Sequence, residues 1–193
     1  LAKTQDQVEV LQGFEKLTFK GSRKSVLLIT ANRGRGKSAV LGLGAASILY
    51  LLGKRKKVKV RITAPNFSGL KTVVEFAEKA LNILGVEYEK SYVKGLTVTL
   101  KSKLGIIDCV SPGRLLKRKA DVVFVDEAAG LPVPLLFRIL KNFKKIVYSS
   151  TIHGYEGSGR GFRVRFLKAL KQEQKISLYE FEMETPINQK LFH

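Results

Sequence analysis

The chain has 193 residues, 45% of them hydrophobic and 26% charged, which fits one folded domain and excludes a disordered segment. Its 35 Lys and Arg outnumber 16 Asp and Glu, giving a formal charge of +19 and a pI near 10.1. That excess points to a polyanionic partner, nucleic acid being the most abundant; heat adaptation is a weaker explanation, because it enriches Glu together with Lys.

Cys109 is the one cysteine, so an intramolecular disulfide and a Cys-based metal site are excluded, and its apolar setting GIIDCV predicts a small buried core residue. The longest apolar stretch, Ala39 to Leu52, falls short of the ~20 residues that span a bilayer, so no membrane partner is expected. No leader pattern is visible and the first residue is Leu1; we expect a piece of a longer chain, with residues 1–193 forming a single domain.

Taken in order, the elements alternate. A helix is expected over 5–16, a strand over 25–30 (SVLLIT), a helix over 37–52, a strand over 58–64 (VKVRITA) and a helix over 67–84. In the last, Leu70, Val73, Val74, Ala77, Ala80, Leu81 and Leu84 recur at three- and four-residue steps, and Gly85 supplies a stop. A hairpin arm (95–103) leads into a strand at 105–110, followed by strands at 121–126 (DVVFVD), 145–151 (KIVYSST) and 176–183 (ISLYEFEM), with helices at 132–143 and 160–172. Short apolar strands alternating with helices predict an α/β fold, a mainly parallel sheet with helices on both faces.

Basic residues cluster at 54–61, at 117–119 and through 159–171. In the last cluster Phe162, Phe166, Leu167 and Leu170 alternate with Arg163, Arg165, Lys168 and Lys171, so a buried stripe and a basic face share one helix. Each run alone reads as a solvated face; three together suggest a nucleic-acid surface.

The stretch TANRGRGKSAV (30–40) ends as a P-loop does, yet Ala31 occupies the place of the first glycine in G-x-x-x-x-G-K-[ST]. The context is right: a strand before, a helix after, and Gly34 and Gly36 to bring backbone N–H groups close to phosphate. Alanine suffices at position 31 if positive φ is not required there. The expected cradle runs through Ala31, Asn32, Arg33, Gly34, Arg35, Gly36, Lys37 and Ser38, with Lys37 on the β and γ phosphates and Ser38 on Mg²⁺.

DVVFVDEAAG sets Asp126 and Glu127 at the carboxyl end of a strand, where open parallel sheets bind their ligands. Asp126 is expected to hold Mg²⁺ and Glu127 to orient or deprotonate the attacking water. A small-molecule kinase has no need of that glutamate, so the pair favours hydrolysis. Ser150 or Thr151 in SSTIHG could sense the γ-phosphate, with strand-end capping as the alternative. ITAPN (62–66) could touch a nucleic-acid backbone, and Thr4 and Gln7 offer a T-x-x-Q arrangement whose amide can read adenine. Arg160 is a candidate phosphate or RNA contact, and His153 reads as structural, having neither metal spacing nor a triad partner.

ANRGRGKSAV, VVFVDEAAGLPVPLL and STIHGYEGSGRGF together resemble the helicase-like ATPase module of the RNA cytidine acetyltransferases, which make N4-acetylcytidine in elongator tRNA(Met) and ribosomal RNA. The resemblance implies a RecA-like P-loop NTPase using ATP and Mg²⁺ in a cytoplasmic multidomain enzyme that binds RNA, expected to be tRNA. Acetyl-CoA would belong to an acetyltransferase domain outside this chain. The family's ATP site maps onto Gln7, the loop from Ala31 to Ser38, Asp126 and Glu127. The family commonly follows its final strand with a proline, an apolar residue and an arginine implicated at the nucleotide; here TPINQ puts Asn188 in that place, so the contact is lost or weakened unless Arg160 or another chain compensates. The implied function is ATP hydrolysis coupled to positioning RNA for acetylation. Its rivals are an RNA clamp with little turnover and a free-standing one-lobe helicase.

Overall fold

The computed structural model describes residues 5–18, 21, 23–32, 34, 36–94, 96–151 and 158–184. Its strands are β1 (Lys24–Ala31), β2 (Val58–Thr63), β3 (Tyr88–Val93), β4 (Leu96–Ser102), β5 (Gly105–Cys109), β6 (Val122–Val125), β7 (Lys145–Thr151) and β8 (Ile176–Met183). They form one sheet in the order β3-β4-β5-β2-β6-β7-β1-β8. From β5 through β8 every neighbouring pair is parallel, while β3 and β4 add an antiparallel arm at one edge.

Side chains alternate across each strand. In β1, Leu27, Ile29 and Ala31 enter a core shared with helices α1 (Gln5–Thr18), α2 (Lys37–Gly53) and α3 (Lys71–Ile83), whereas Val26 and Leu28 enter a second core on the opposite face. That second core is closed by α4 (Pro112–Leu115), α5 (Val133–Asn142) and the segment 158–172. Strands buried on both faces must be apolar at every position, which is why β1 and β6 read as continuous runs.

Helix α2 is apolar all round because it lies in the middle of its layer, against the sheet with α1 and α3 beside it. At Gly42 it touches α3 so closely that a Cβ would meet Phe76 Cβ at 2.8 Å and Ala77 N at 2.9 Å. Helix α3 starts from a 3-10 turn, Phe67–Leu70, capped by Asn66, whose Oδ1 accepts from Ser68 N at 3.2 Å. Its stripe is buried as far as Leu81, but Leu84 is 36% exposed. The helix ends where predicted: Gly85, at φ +68°, donates to Asn82 O, and Val86 N donates to Leu81 O.

The continuous helix expected over 160–172 is interrupted. It consists of α6 (Ser158–Gly161), a π-helical segment Phe162–Leu167 and α7 (Lys168–Gln172). The segment still buries Phe162, Phe166 and Leu170 and exposes Arg163, Arg165 and Lys168. Phe166 packs edge-on to Tyr148 of β7, with ring centres 4.9 Å apart.

One consequence of strand order matters most for chemistry. Strand β7 stands between β1 and β6, so the loop leaving β1 and the acids leaving β6 flank the carboxyl end of β7.

Candidate nucleotide site

Ala31 is the last residue of β1, fully buried and registered with Thr151 of β7 and Met183 of β8. Its backbone is still extended strand, which explains why the position tolerates a side chain. Positive φ first occurs at Gly34 (+81°) and recurs at Gly36 (+78°) among the described loop residues. No heavy atom lies within 4 Å of where a Cβ on Gly34 would stand, so this glycine answers a backbone requirement and not a crowded one. Gly36 is the N-cap of α2, with no side chain capping that end, so the first-turn N–H groups and the positive end of the helix dipole are left for an anion.

Lys37 and Ser38 lie in that first turn. Lys37 is 8% exposed, and its Nζ donates to Asp126 Oδ1 at 2.7 Å and Glu127 Oε1 at 2.6 Å. Burial pulls the pKa of this ammonium down, but the two carboxylates outweigh it and the net shift is upward. Lys37 is therefore firmly cationic.

Asp126 Oδ1 also accepts from Ser149 Oγ at 2.7 Å and from Glu127 N at 2.9 Å. All three bonds fall on Oδ1, while Oδ2 accepts no hydrogen bond among the described residues. Glu127 adopts a left-handed backbone, φ +48°, which is rare for a residue with a Cβ and costs about 1–3 kcal/mol. The turn lets two consecutive acids both reach Lys37, and Asp126 secures it by accepting the Glu127 N–H. Thr151 Oγ1 lies 3.2 Å from each Glu127 carboxylate oxygen.

The structure thus brings together Lys37, Asp126 and Glu127 directly, with Ser38 beside Lys37 in the first turn of α2 and Ala31, Asn32, Gly34 and Gly36 on the loop that leads into it. Gln7 is buried and reaches the same loop, its Nε2 donating to Gly36 O at 3.4 Å. Arg160 is exposed on α6, which packs against the turn Ala128–Gly130 that follows Glu127, and it makes no hydrogen bond or ion pair among the described residues. Arg33, Arg35, Thr4, His153 and Asn188 lie outside the described residues.

Two residues join the site that the sequence motifs do not assign to it. Ser149 is fully buried on Asp126; the expectation fell on Ser150 or Thr151, although the two-residue period of a strand puts Ser149 and Thr151 on one face and Ser150 on the other. Among the described residues the Ser150 hydroxyl donates only to the Thr151 carbonyl, at 3.4 Å. Thr63, at the end of β2, is buried with its Oγ1 unpartnered among the described residues, and its carbonyl accepts from Asp126 N at 2.9 Å. Among the described residues Asn32 Oδ1 is the other buried side-chain atom without a partner.

The donor set fits Mg²⁺ held together with phosphates. That ion binds through one or two carboxylates, a hydroxyl and ligand oxygens, not an all-protein cage, and among the described residues no cluster of three His, Cys, Asp or Glu exists. No described helix is long and apolar enough to cross a membrane.

A family model described as RNA cytidine acetyltransferase NAT10/TcmA, helicase domain, matches residues 28–190. The chain belongs to this family. Its relatives include tRNA(Met) cytidine acetyltransferase TmcA of Thermofilum pendens, 49% identical over 97% of this chain and 24% of that protein. The TmcA of Thermococcus kodakarensis is 43% identical over 97% of this chain and 22% of its own length. The chain therefore spans about a quarter of the length of these relatives. Among solved structures it resembles the large terminase of bacteriophage D6E in complex with ATP-gamma-S, at TM-score 0.64 and 13% identity, covering 94% of this chain and 45% of that one. It also resembles the Pif1 helicase of Candida albicans, at TM-score 0.51 and 15% identity, covering 98% of this chain and 41% of that one. These likenesses establish the RecA-like P-loop fold for the family member described here.

Proposed function

We propose that this chain binds Mg·ATP at the 31–38 loop and hydrolyses it, coupling turnover to the placement of RNA for cytidine N4-acetylation by another part of the full-length enzyme, where acetyl-CoA would bind. The observation that carries the reading is Lys37, set between Asp126 and Glu127 at 2.7 and 2.6 Å. A lysine at a helix N-terminus, placed where anionic phosphates would compete for it, is the arrangement a phosphoryl-transfer site needs.

In this account Lys37 leaves the two carboxylates for the β and γ phosphate oxygens. Asp126 and Ser38 would hold Mg²⁺, which when bound neutralises charge developing on the phosphoryl oxygens. Asp126 keeps its orientation through Ser149, so its Oδ2 stays directed by a buried anchor. Glu127, released by Lys37 and steadied by Thr151, accepts a proton from the water that attacks the γ-phosphorus as the bond to ADP breaks. Gln7 braces the loop through Gly36 O, and its amide is the adenine reader in this account. The names of the relatives support tRNA as the RNA.

The test is a comparison of wild type with Glu127→Gln. The substitution should leave ATP bound while turnover falls about 10²-fold or more, and RNA should stimulate the wild-type rate. Unchanged turnover in Glu127→Gln would remove the general base from this account, and RNA-independent turnover would remove the coupling.

A further inference from the structure

The nucleotide site occupies the carboxyl ends of the parallel strands. The opposite edge, where β2, β6 and β7 begin, has a different character. Strand β7 has seven residues, which separate the two edges by about 20 Å.

Segments 54–59, 117–121 and 141–145 meet at that edge because they lead into three adjacent strands. Together they carry eleven Lys and Arg and a single carboxylate, Asp121. Two of these segments belong to basic clusters already visible in the sequence; the fold adds the third and leaves the 159–171 cluster elsewhere, on a face of the sheet. Ten of the eleven cations are exposed, Lys145 being half-buried. Of those ten, Lys56 alone pairs with a carboxylate among the described residues, at 2.6 Å from Asp121.

Two cavities open here. One, of about 660 Å³, has Arg55, Lys56 and Lys145 on its walls; the other, of about 550 Å³, is lined by Lys57, Lys59, Arg118 and Lys119. Asp121 stands between them and organises the backbone. It accepts from Lys59 N at 2.8 Å, and its own N–H donates to Lys59 O at 2.8 Å. Buried Arg61 donates to Lys119 O at 3.2 Å and pairs with Asp108, tying the 117–119 loop to β2. The cations are thus presented by a fixed frame. Burial lowers the pKa of Lys145, and the neighbouring Lys56 adds to that against an upward pull from Asp121.

We propose that this amino-terminal edge of the sheet is an RNA-backbone binding face, separate from the nucleotide site and contacting phosphates without reading sequence. The inference rests on RNA being the partner of this family member. A protein partner fits the chemistry less well, because the buried centres of protein interfaces are depleted of Lys and rich in aromatic and apolar anchors. None of the exposed large hydrophobic side chains falls in the three segments. Unpaired lysines and arginines on an ordered frame instead suit polyphosphate, whose binding gains from release of counterions.

The test uses Lys57→Glu, Lys59→Glu, Arg118→Glu and Lys119→Glu combined, with the four corresponding Gln substitutions as a milder second variant. Binding of labelled tRNA is measured against salt concentration, alongside Mg·ATPγS binding as a check on the fold. The face predicts at least a tenfold loss of tRNA affinity and a salt slope smaller by about 3, at roughly 0.7 per lost single-strand phosphate contact. Nucleotide affinity should not change, and Arg163→Gln, Lys168→Gln and Lys171→Gln together should reduce tRNA affinity less. If wild type binds tRNA and both quadruple variants match it in affinity and slope, the face is overturned and docking of a protein domain becomes its better use. If wild type binds no tRNA at all, the RNA assignment itself fails and the face falls with it.

Discussion

Lys37 Nζ lies 2.7 Å from Asp126 Oδ1, joining the helix after β1 to the end of β6 across the intervening strand β7. Both side chains are nearly inaccessible, at 9% and 4% exposure. Removing one partner of such a pair leaves a buried charge uncompensated, which costs about 3–5 kcal/mol. Lys37→Met should therefore destabilise the protein by that order in denaturant unfolding, and adding Asp126→Asn should restore part of it. A double variant less stable than the sum of the singles would contradict the coupling.

Ser149→Ala removes the buried hydroxyl that fixes Asp126. A hydrogen bond to a charged group contributes about 1.5–3 kcal/mol, so unfolding should register a loss of that size. A purely structural role would stop there. Because Asp126 is the proposed magnesium ligand, Ser149→Ala should also raise the Mg²⁺ concentration needed for half-maximal ATP turnover, and an unchanged magnesium requirement would limit Ser149 to packing.

Gly42→Ala sets two effects against each other. Alanine improves helix propensity by about 0.8–1 kcal/mol over glycine, but its Cβ would stand 2.8 Å from Phe76 Cβ and 2.9 Å from Ala77 N. Much of that obstacle is α3 backbone, which cannot rotate away, and overpacking of this kind costs about 1–3 kcal/mol. The clash should win, lowering the melting temperature by several degrees at roughly 2–4 °C per kcal/mol for a chain of this size. A rise in melting temperature would show that the two helices can separate at little cost.

Cys109 is buried, and burial, followed by the charge of Asp108, pushes its thiol up to about 12. Native protein at pH 8 should react with a thiol reagent far more slowly than unfolded protein, because the thiolate is the nucleophile. The folded pKa lies above the unfolded value, so this group's contribution to stability is intact below about pH 9 and declines as pH rises from there toward 12. Rapid labelling of native protein at pH 8 would place Cys109 outside the core.

Much of this fold could be read from the chain. Strands β7 and β8 have the predicted bounds, since continuous apolar runs flanked by polar residues leave little freedom. β3 was missed for the converse reason: Tyr88–Val93 (YEKSYV) is exposed along nearly its whole length, so neither face imprints a period of two, and only pairing with β4 makes it a strand. The π-helical segment was invisible because Phe162, Phe166 and Leu170 keep a spacing that an α-helix also satisfies. At the site, Lys37, Asp126 and Glu127 announced themselves by motif, whereas Ser149 required knowing that it shares a face of the sheet with Asp126. Ala31 looked like a defect in the loop until its place became clear: it is the end of a strand, and the positive-φ glycines come later.

Titration calorimetry of Mg·ATPγS into wild type and Lys37→Ala decides whether the Lys37 site binds Mg·ATP. Wild type should show one site per chain, and the variant should lose more than about a hundredfold in affinity, or ~2.7 kcal/mol. Equal affinity in the two proteins, or no binding to wild type, would contradict this assignment of the site.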